Sequence, residues 1–139
     1  KKGPPPEINL FNEKNNGETL LNLINEDYIK SAHDVSLGGI IVALAKMCIK
    51  GKKGVKLNKQ SYFINKFEYL FGEDQGRYIV EIEKETYPKV KEILAKSSVH
   101  YDELGIVVEN DMIIDDKTKI SIDELSNFNN NWLKEYMEK

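Results

Sequence analysis

A histidine, a carboxylate and two glycines lie close together in the stretch from Tyr28 to Gly51. His33 and Asp34 place a titratable imidazole beside a carboxylate, and general acid–base catalysis uses both residue types. Because adjacent residues of an extended segment point to opposite sides, we expect that these two side chains form no dyad. In the structural alternative, Asp34 caps the next helix and His33 satisfies a backbone group.

Gly38 and Gly39 open a segment that is apolar almost all round, as a buried helix is. Backbone N–H groups at the start of a helix can hold an anion, and Ser36 can also cap the helix there. Glycine equally permits a close approach of two backbones. The pair therefore predicts either a phosphate-facing loop or tight packing of the helix on a sheet. If the loop faces an anion, Gly39→Asp abolishes activity while the chain still folds.

A dense polar turn follows Phe71, and its four polar side chains are Glu73, Asp74, Gln75 and Arg77. Carboxylates bind hard cations, so one interpretation is a metal site. The other is a solvated loop with an internal Arg–carboxylate pair. The loop is favoured, because no third carboxylate has a suitable spacing, and no metal ligand is assigned. His100 is predicted to be structural, and the Lys-rich stretch 50–59 is predicted to be a solvated loop.

The elements that position these residues alternate irregularly between strand and helix. Strands are predicted at 28–32, 55–57, 78–83, 101–108, 112–114 and 119–122. Helices are predicted at 18–27, 40–49 and 86–96, and after a cap at Asp123. Asn15-Asn16-Gly17 predicts a turn, 33–36 a polar turn, and Asn110-Asp111 a hairpin-type turn. This order indicates an α+β fold, a mixed β-sheet with helices packed on it.

The composition is that of an ordinary globular chain of one domain. It has 139 residues, 40% hydrophobic and 31% charged, with a formal net charge of -3. That charge argues against a nucleic-acid surface, and no apolar run reaches membrane-spanning length. Cys48 lies in the apolar helix, which predicts a reduced core thiol and a cytoplasmic location. Pro4 to Pro6 have linker composition, so we expect 1–17 to be a linker from a preceding domain and 18–139 the domain itself.

Two motifs resemble one family. Ser31-Ala32-His33-Asp34-Val35-Ser36-Leu37-Gly38-Gly39 is similar to the SAHDVSDGG motif of phosphoribosylformylglycinamidine synthase. Leu70-Phe71-Gly72-Glu73-Asp74-Gln75-Gly76-Arg77-Tyr78 resembles the LFGE-x-Q-x-R segment of the same family. The resemblance covers essentially the whole chain and is to the C-terminal domain of the synthetase subunit. Related enzymes of the superfamily, such as aminoimidazole ribonucleotide synthase, are not expected to share the second motif in this form.

The resemblance implies an α/β/α arrangement that is partly ferredoxin-like, as in the C-terminal domain of aminoimidazole ribonucleotide (AIR) synthase. It also implies a reaction of purine biosynthesis, in which ATP activates the amide of formylglycinamide ribonucleotide and glutamine-derived ammonia displaces phosphate. ATP and Mg would bind mainly to other domains of the same polypeptide, so this chain alone is expected to be inactive. The implied partners are those domains, a separate glutaminase subunit, a small accessory subunit and the small-molecule substrate.

The resemblance also implies roles for individual residues. The loop formed by His33, Asp34, Ser36, Gly38 and Gly39 would face the substrate or a nucleotide phosphate. Three side chains of the second motif, Glu73, Gln75 and Arg77, would support that loop or line the rim of the cleft.

Leu37 departs from the family motif, which usually has Asp there. This substitution puts ligand contact at the loop in doubt, although Ser36 can replace an Asp that serves only as a helix cap. It favours the alternative function, a non-catalytic ligand-binding or interaction domain on the same scaffold.

Overall fold

The structure, a computed structural model, describes residues 7–58 and 65–138. The predicted linker at Pro4 to Pro6 lies outside the described residues. The helices are α1 Leu10–Asn25, α2 Gly39–Gly51, α3 Lys66–Phe71, α4 Tyr87–Lys96 and α5 Ile122–Met137. The strands are β1 Ser31–Asp34, β2 Gly54–Leu57, β3 Tyr78–Glu81, β4 Gly105–Val108, β5 Asp111–Ile113 and β6 Lys119–Ser121. The chain divides into two compact units, with the boundary inside α2 after Ala43.

The first unit, residues 1–43 and 66–102, contains a two-stranded antiparallel sheet of β1 and β3. Its apolar cluster is centred on Leu23, Ile29 and Val90, which come from α1, the segment before β1, and α4. Val90 is fully buried, since α4 turns its apolar stripe towards this cluster. Pro88 lies in the first turn of α4, where its missing N–H costs nothing.

Helix α1 begins eight residues earlier than predicted, at Leu10 rather than Glu18. Asn9 caps it, and its side chain accepts a 3.0 Å hydrogen bond from the Asn12 N–H. The turn predicted at Asn15-Asn16-Gly17 is therefore wrong, and 10–17 are helical rather than a linker. Asn15 and Asn16 donate to the backbone of other elements, which outweighs the local turn preference of Asn-Asn-Gly.

The second unit, residues 44–65 and 103–139, holds a four-stranded mixed sheet in the order β4-β2-β5-β6. Strand β2 runs antiparallel to β4 and parallel to β5, and β5 runs antiparallel to β6. The hairpin predicted at Asn110-Asp111 is wrong, because β2 lies between the two strands that this turn connects. Gly54 permits the close approach of β2 and β5, since a Cβ there would overlap the backbone of Asp111.

Several predicted boundaries shift by a few residues. Gly105 begins β4 and is not at its centre. Strand β1 covers Ser31–Asp34, so His33 and Asp34 are strand residues and not part of a turn. Ser121, not Asp123, caps α5, and its hydroxyl accepts a 3.2 Å hydrogen bond from the Glu124 N–H.

The predicted α+β class and its mixed sheet are confirmed, and a second, two-stranded sheet is added. Cys48 is buried in α2, as predicted. Within 7–58 and 65–138, no helix is both long enough and apolar enough to cross a membrane.

Candidate functional site

The two motif segments meet at one end of the sheet in the first unit. Strands β1 and β3 pair so that Asp34 lies opposite Tyr78, and Ser31 lies opposite Glu81. Just beyond the strands, the Val35 N–H donates to the Arg77 carbonyl at 2.9 Å. The chain leaving β1 and the chain entering β3 are therefore adjacent. We name the residues 35–39 the glycine loop and the residues 72–77 the acidic turn.

His33 and Asp34 contact each other, so the expectation that they would point apart is wrong. The Nδ1 atom of His33 lies 2.6 Å from the backbone oxygen of Asp34 and 3.3 Å from its Oδ1. With a hydrogen on Nδ1 the ring donates to that carbonyl, which is the backbone role that the sequence offers as the structural alternative. Asp34 belongs to β1 and does not cap α2, since Gly38 precedes the helix.

Both glycines of the glycine loop have a left-handed backbone, with φ of +85° at Gly38 and +70° at Gly39. Gly39 is buried, and a Cβ there would lie 2.7 Å from the carbonyl oxygen of Leu70 and 2.8 Å from that of Gly72. Gly39 therefore has the packing role that the sequence offered as one alternative. Gly38 N–H donates to Glu73 Oε1 at 2.7 Å, so a carboxylate of the chain itself lies on the loop amide.

Arg77 organises the acidic turn. Its Nη2 donates to the Gly72 carbonyl, and its Nε donates to the Asp74 carbonyl at 3.2 Å. Nη2 also lies 3.3 Å from the Asp74 carboxylate, which is the internal pair that the sequence predicted. The guanidinium therefore fixes the backbone on both sides of Glu73 and holds that carboxylate towards Gly38.

Helix α1 also supports the acidic turn, which the sequence did not indicate. The Asn16 side chain donates to the Gly76 carbonyl at 3.0 Å. Gly76 has φ of +68°, and a Cβ there would lie 2.7 Å from Glu13 Oε1. The sequence did not predict this contact of Asn16, because Asn-Asn-Gly is typical of a turn and the partner, Gly76, is 60 residues away.

Several side chains of the two motifs face solvent. Leu37 is 79% exposed, and Ser36 and Gln75 are exposed as well. The structure therefore joins Gly38, Glu73 and Arg77 in one network and leaves Gln75 outside it. Among the described side chains, no group of three or more His, Cys, Asp or Glu is arranged to hold a metal ion.

Arg77→Lys is expected to lower the free energy of unfolding by about 1 kcal/mol. The reason is that a single ammonium cannot reproduce the contacts of the planar guanidinium with the Gly72 and Asp74 carbonyls and the Asp74 carboxylate. Urea denaturation measures this change. Lys14→Ala is the control, since it removes only an exposed 3.7 Å pair with Glu18 and should change stability by less than about 0.5 kcal/mol. Equal stability of Arg77→Lys and the unchanged chain would contradict the role of the guanidinium.

The sequence and fold resemble known proteins. The family described as "AIR synthase related protein, C-terminal domain" matches residues 2–117. Phosphoribosylformylglycinamidine synthase subunit PurL of Pelagibacter ubique (strain HTCC1062) is 69% identical over 138 residues, which are 99% of this chain and 19% of the relative. The same subunit from Bartonella bacilliformis is 36% identical over 135 residues, 97% of this chain and 18% of the relative. The chain thus spans about a fifth of the length of these curated relatives.

Solved structures share the fold at low sequence identity. The structure titled "Structure of PurLQS from Thermotoga maritima" superimposes with a TM-score of 0.74 at 22% identity, over 87% of this chain and 22% of that one. The structure titled "T. maritima PurL complexed with FGAR" gives a TM-score of 0.70 at 21% identity, over 82% of this chain and 21% of that one.

Proposed function

Because the chain belongs to the family of AIR synthase related proteins, C-terminal domain, we propose that it is the C-terminal part of a phosphoribosylformylglycinamidine synthase subunit. The match over residues 2–117 bears out the expected type of domain, and the synthase itself is the proposal. The 69% identity to a PurL subunit over nearly the whole chain is the observation that carries the proposal. The meeting of the two motifs in one network supports it.

The full-length protein would convert formylglycinamide ribonucleotide to the amidine, with ATP and ammonia derived from glutamine. This chain would contribute the glycine loop and the acidic turn to the rim of the cleft. Of the predicted site residues, His33, Asp34 and Ser36 would lie on the side of the ligand, whereas Glu73 and Arg77 would hold the loop. Gln75, which is exposed, would face the rim.

ATP and Mg are proposed to bind mainly to the other domains of the polypeptide. A PurL chain has been solved with ATP, and another structure is titled PurLQS. By analogy, we propose a separate glutaminase subunit and a small accessory subunit as partners, in the cytoplasm.

Leu37 supports a second candidate, a non-catalytic interaction domain on the same scaffold. Its side chain is 79% exposed at the tip of the glycine loop, where an apolar group favours contact with another surface over contact with a charged ligand. If this candidate holds, the full-length protein folds but does not use formylglycinamide ribonucleotide.

Release of ADP by the full-length protein distinguishes the two candidates. With formylglycinamide ribonucleotide and ammonium, which replaces the glutaminase, the synthase proposal expects turnover that requires both substrates. The isolated 139-residue chain should show none. A folded full-length protein without turnover, in which Leu37→Asp also fails to restore it, would favour the interaction domain.

A further inference from the structure

The partial positive charge at the N-terminus of α2 is neutralised by Glu73 of the acidic turn. Helix α2 has no acidic residue in its first turn, and Asp34 lies in β1. Glu73 Oε1 instead accepts from the Gly38 N–H at 2.7 Å, a length typical of a charge-assisted hydrogen bond. We propose that Glu73 is a positioning residue, a built-in anion that occupies the amide of Gly38 and holds the glycine loop in one conformation.

The glycine loop requires such a contact because its backbone is intrinsically free. Gly38 and Gly39 are adjacent and both have positive φ, and ordering one residue costs about 1–2 kcal/mol in backbone entropy. The Gly39 side of the loop is fixed by packing on the backbone of 70–72. The Gly38 side has the hydrogen bond to Glu73, which itself is held between Gly72 and Asp74 by Arg77.

This arrangement changes which atoms of the loop are available to a ligand. The amide that the sequence offered to a phosphate is already bonded to a carboxylate, which also repels a second anion. The side chains of Ser36 and Leu37, which precede Gly38 in the loop, are exposed. In this inference, which rests on the proposed function, Glu73 acts on the substrate only through the position of the glycine loop.

Two substitutions at position 73 separate the hydrogen bond from the charge. Glu73→Gln keeps an acceptor oxygen, whereas Glu73→Ala removes it. Glu85→Ala, at an exposed glutamate in the turn before α4, is the matched control. In the 139-residue chain, the chemical shift and hydrogen exchange of the Gly38 amide are followed by ¹⁵N NMR.

We expect about ten-fold faster exchange of the Gly38 amide in Glu73→Ala and a smaller increase in Glu73→Gln, which keeps an acceptor but loses the charge. Glu85→Ala should match the unchanged chain. Inorganic phosphate should shift the Gly38 resonance in Glu73→Ala, where the amide is vacated, and not in the unchanged chain. In the full-length protein, kcat/KM for formylglycinamide ribonucleotide should fall about ten-fold in Glu73→Ala and by a smaller factor in Glu73→Gln.

An unaltered Gly38 amide in Glu73→Ala would overturn the proposal, as would a phosphate-induced shift of Gly38 in the unchanged chain. Unchanged kcat/KM in Glu73→Ala would also overturn it. If the full-length protein shows no turnover at all, the proposed function fails, and the NMR results on the 139-residue chain still decide whether Glu73 holds the loop.

Discussion

Replacing Gly39 with alanine is expected to lower the free energy of unfolding by about 3 kcal/mol. The backbone has φ of +70° there, a conformation that costs an L residue about 1–3 kcal/mol. The new Cβ would also lie 2.7–2.8 Å from backbone atoms of Leu70, Phe71 and Gly72, which cannot move as a side chain can. Urea denaturation, monitored by circular dichroism, measures the change.

Gly51→Ala is the matched control for this experiment. Gly51 ends the same helix, lies in open space and has no positive φ. Alanine there should leave stability unchanged or raise it by up to about 1 kcal/mol, because alanine favours the helix. If Gly39→Ala unfolds at the same urea concentration as Gly51→Ala, the close contact with 70–72 is not present in solution.

The same geometry alters an expectation drawn from the sequence. If the loop faced an anion, Gly39→Asp would abolish activity in a chain that still folds. With Gly39 buried against backbone, we instead expect Gly39→Asp to destabilise the chain at least as much as Gly39→Ala. Lost activity in that variant would therefore report loss of structure. Substitutions of Glu73, which is exposed, are the better probe of the loop.

Met112→Ala is expected to lower the free energy of unfolding by about 3 kcal/mol. The side chain is 2% exposed in β5, between Val55 of β2 and Ile120 of β6. Truncation of a buried methionine removes apolar contacts and leaves a cavity, which together cost about 2–5 kcal/mol. Thermal and urea unfolding of the chain measure the loss.

Ile106→Ala tests whether burial, and not strand position, sets this cost. Ile106 belongs to the same sheet but is 61% exposed in β4, so its truncation should cost less than about 1 kcal/mol. Similar losses in the two variants would mean that Met112 is not in a closely packed core.

Local pattern was sufficient where an element is defined by its own residues. The apolar run of α2, the alternation of β3 and the Thr86-Tyr87-Pro88 start of α4 predicted these elements close to their observed bounds. The two motifs were recognisable because they are contiguous, and the broader family of AIR synthase related C-terminal domains is confirmed. Each of these features depends on residues within about one or two turns of one another.

Contacts between distant residues decided the rest. The order β4-β2-β5-β6 overrode a hairpin signal at Asn110-Asp111, since β2 pairs with both β4 and β5. Helix α1 includes Asn15-Asn16-Gly17, because the Asn16 side chain bonds to the acidic turn instead of to its own backbone.

The sequence by itself determined the family, the main helices and strands, and the two segments that form the candidate site. Only the tertiary structure decided that Glu73 bonds to Gly38, across 35 residues of chain, and that Gly39 packs on the backbone of 70–72. The reason is physical: periodicity and capping act over a few residues, whereas the partner of an exposed amide is set by which loops the pairing of β1 with β3 brings together.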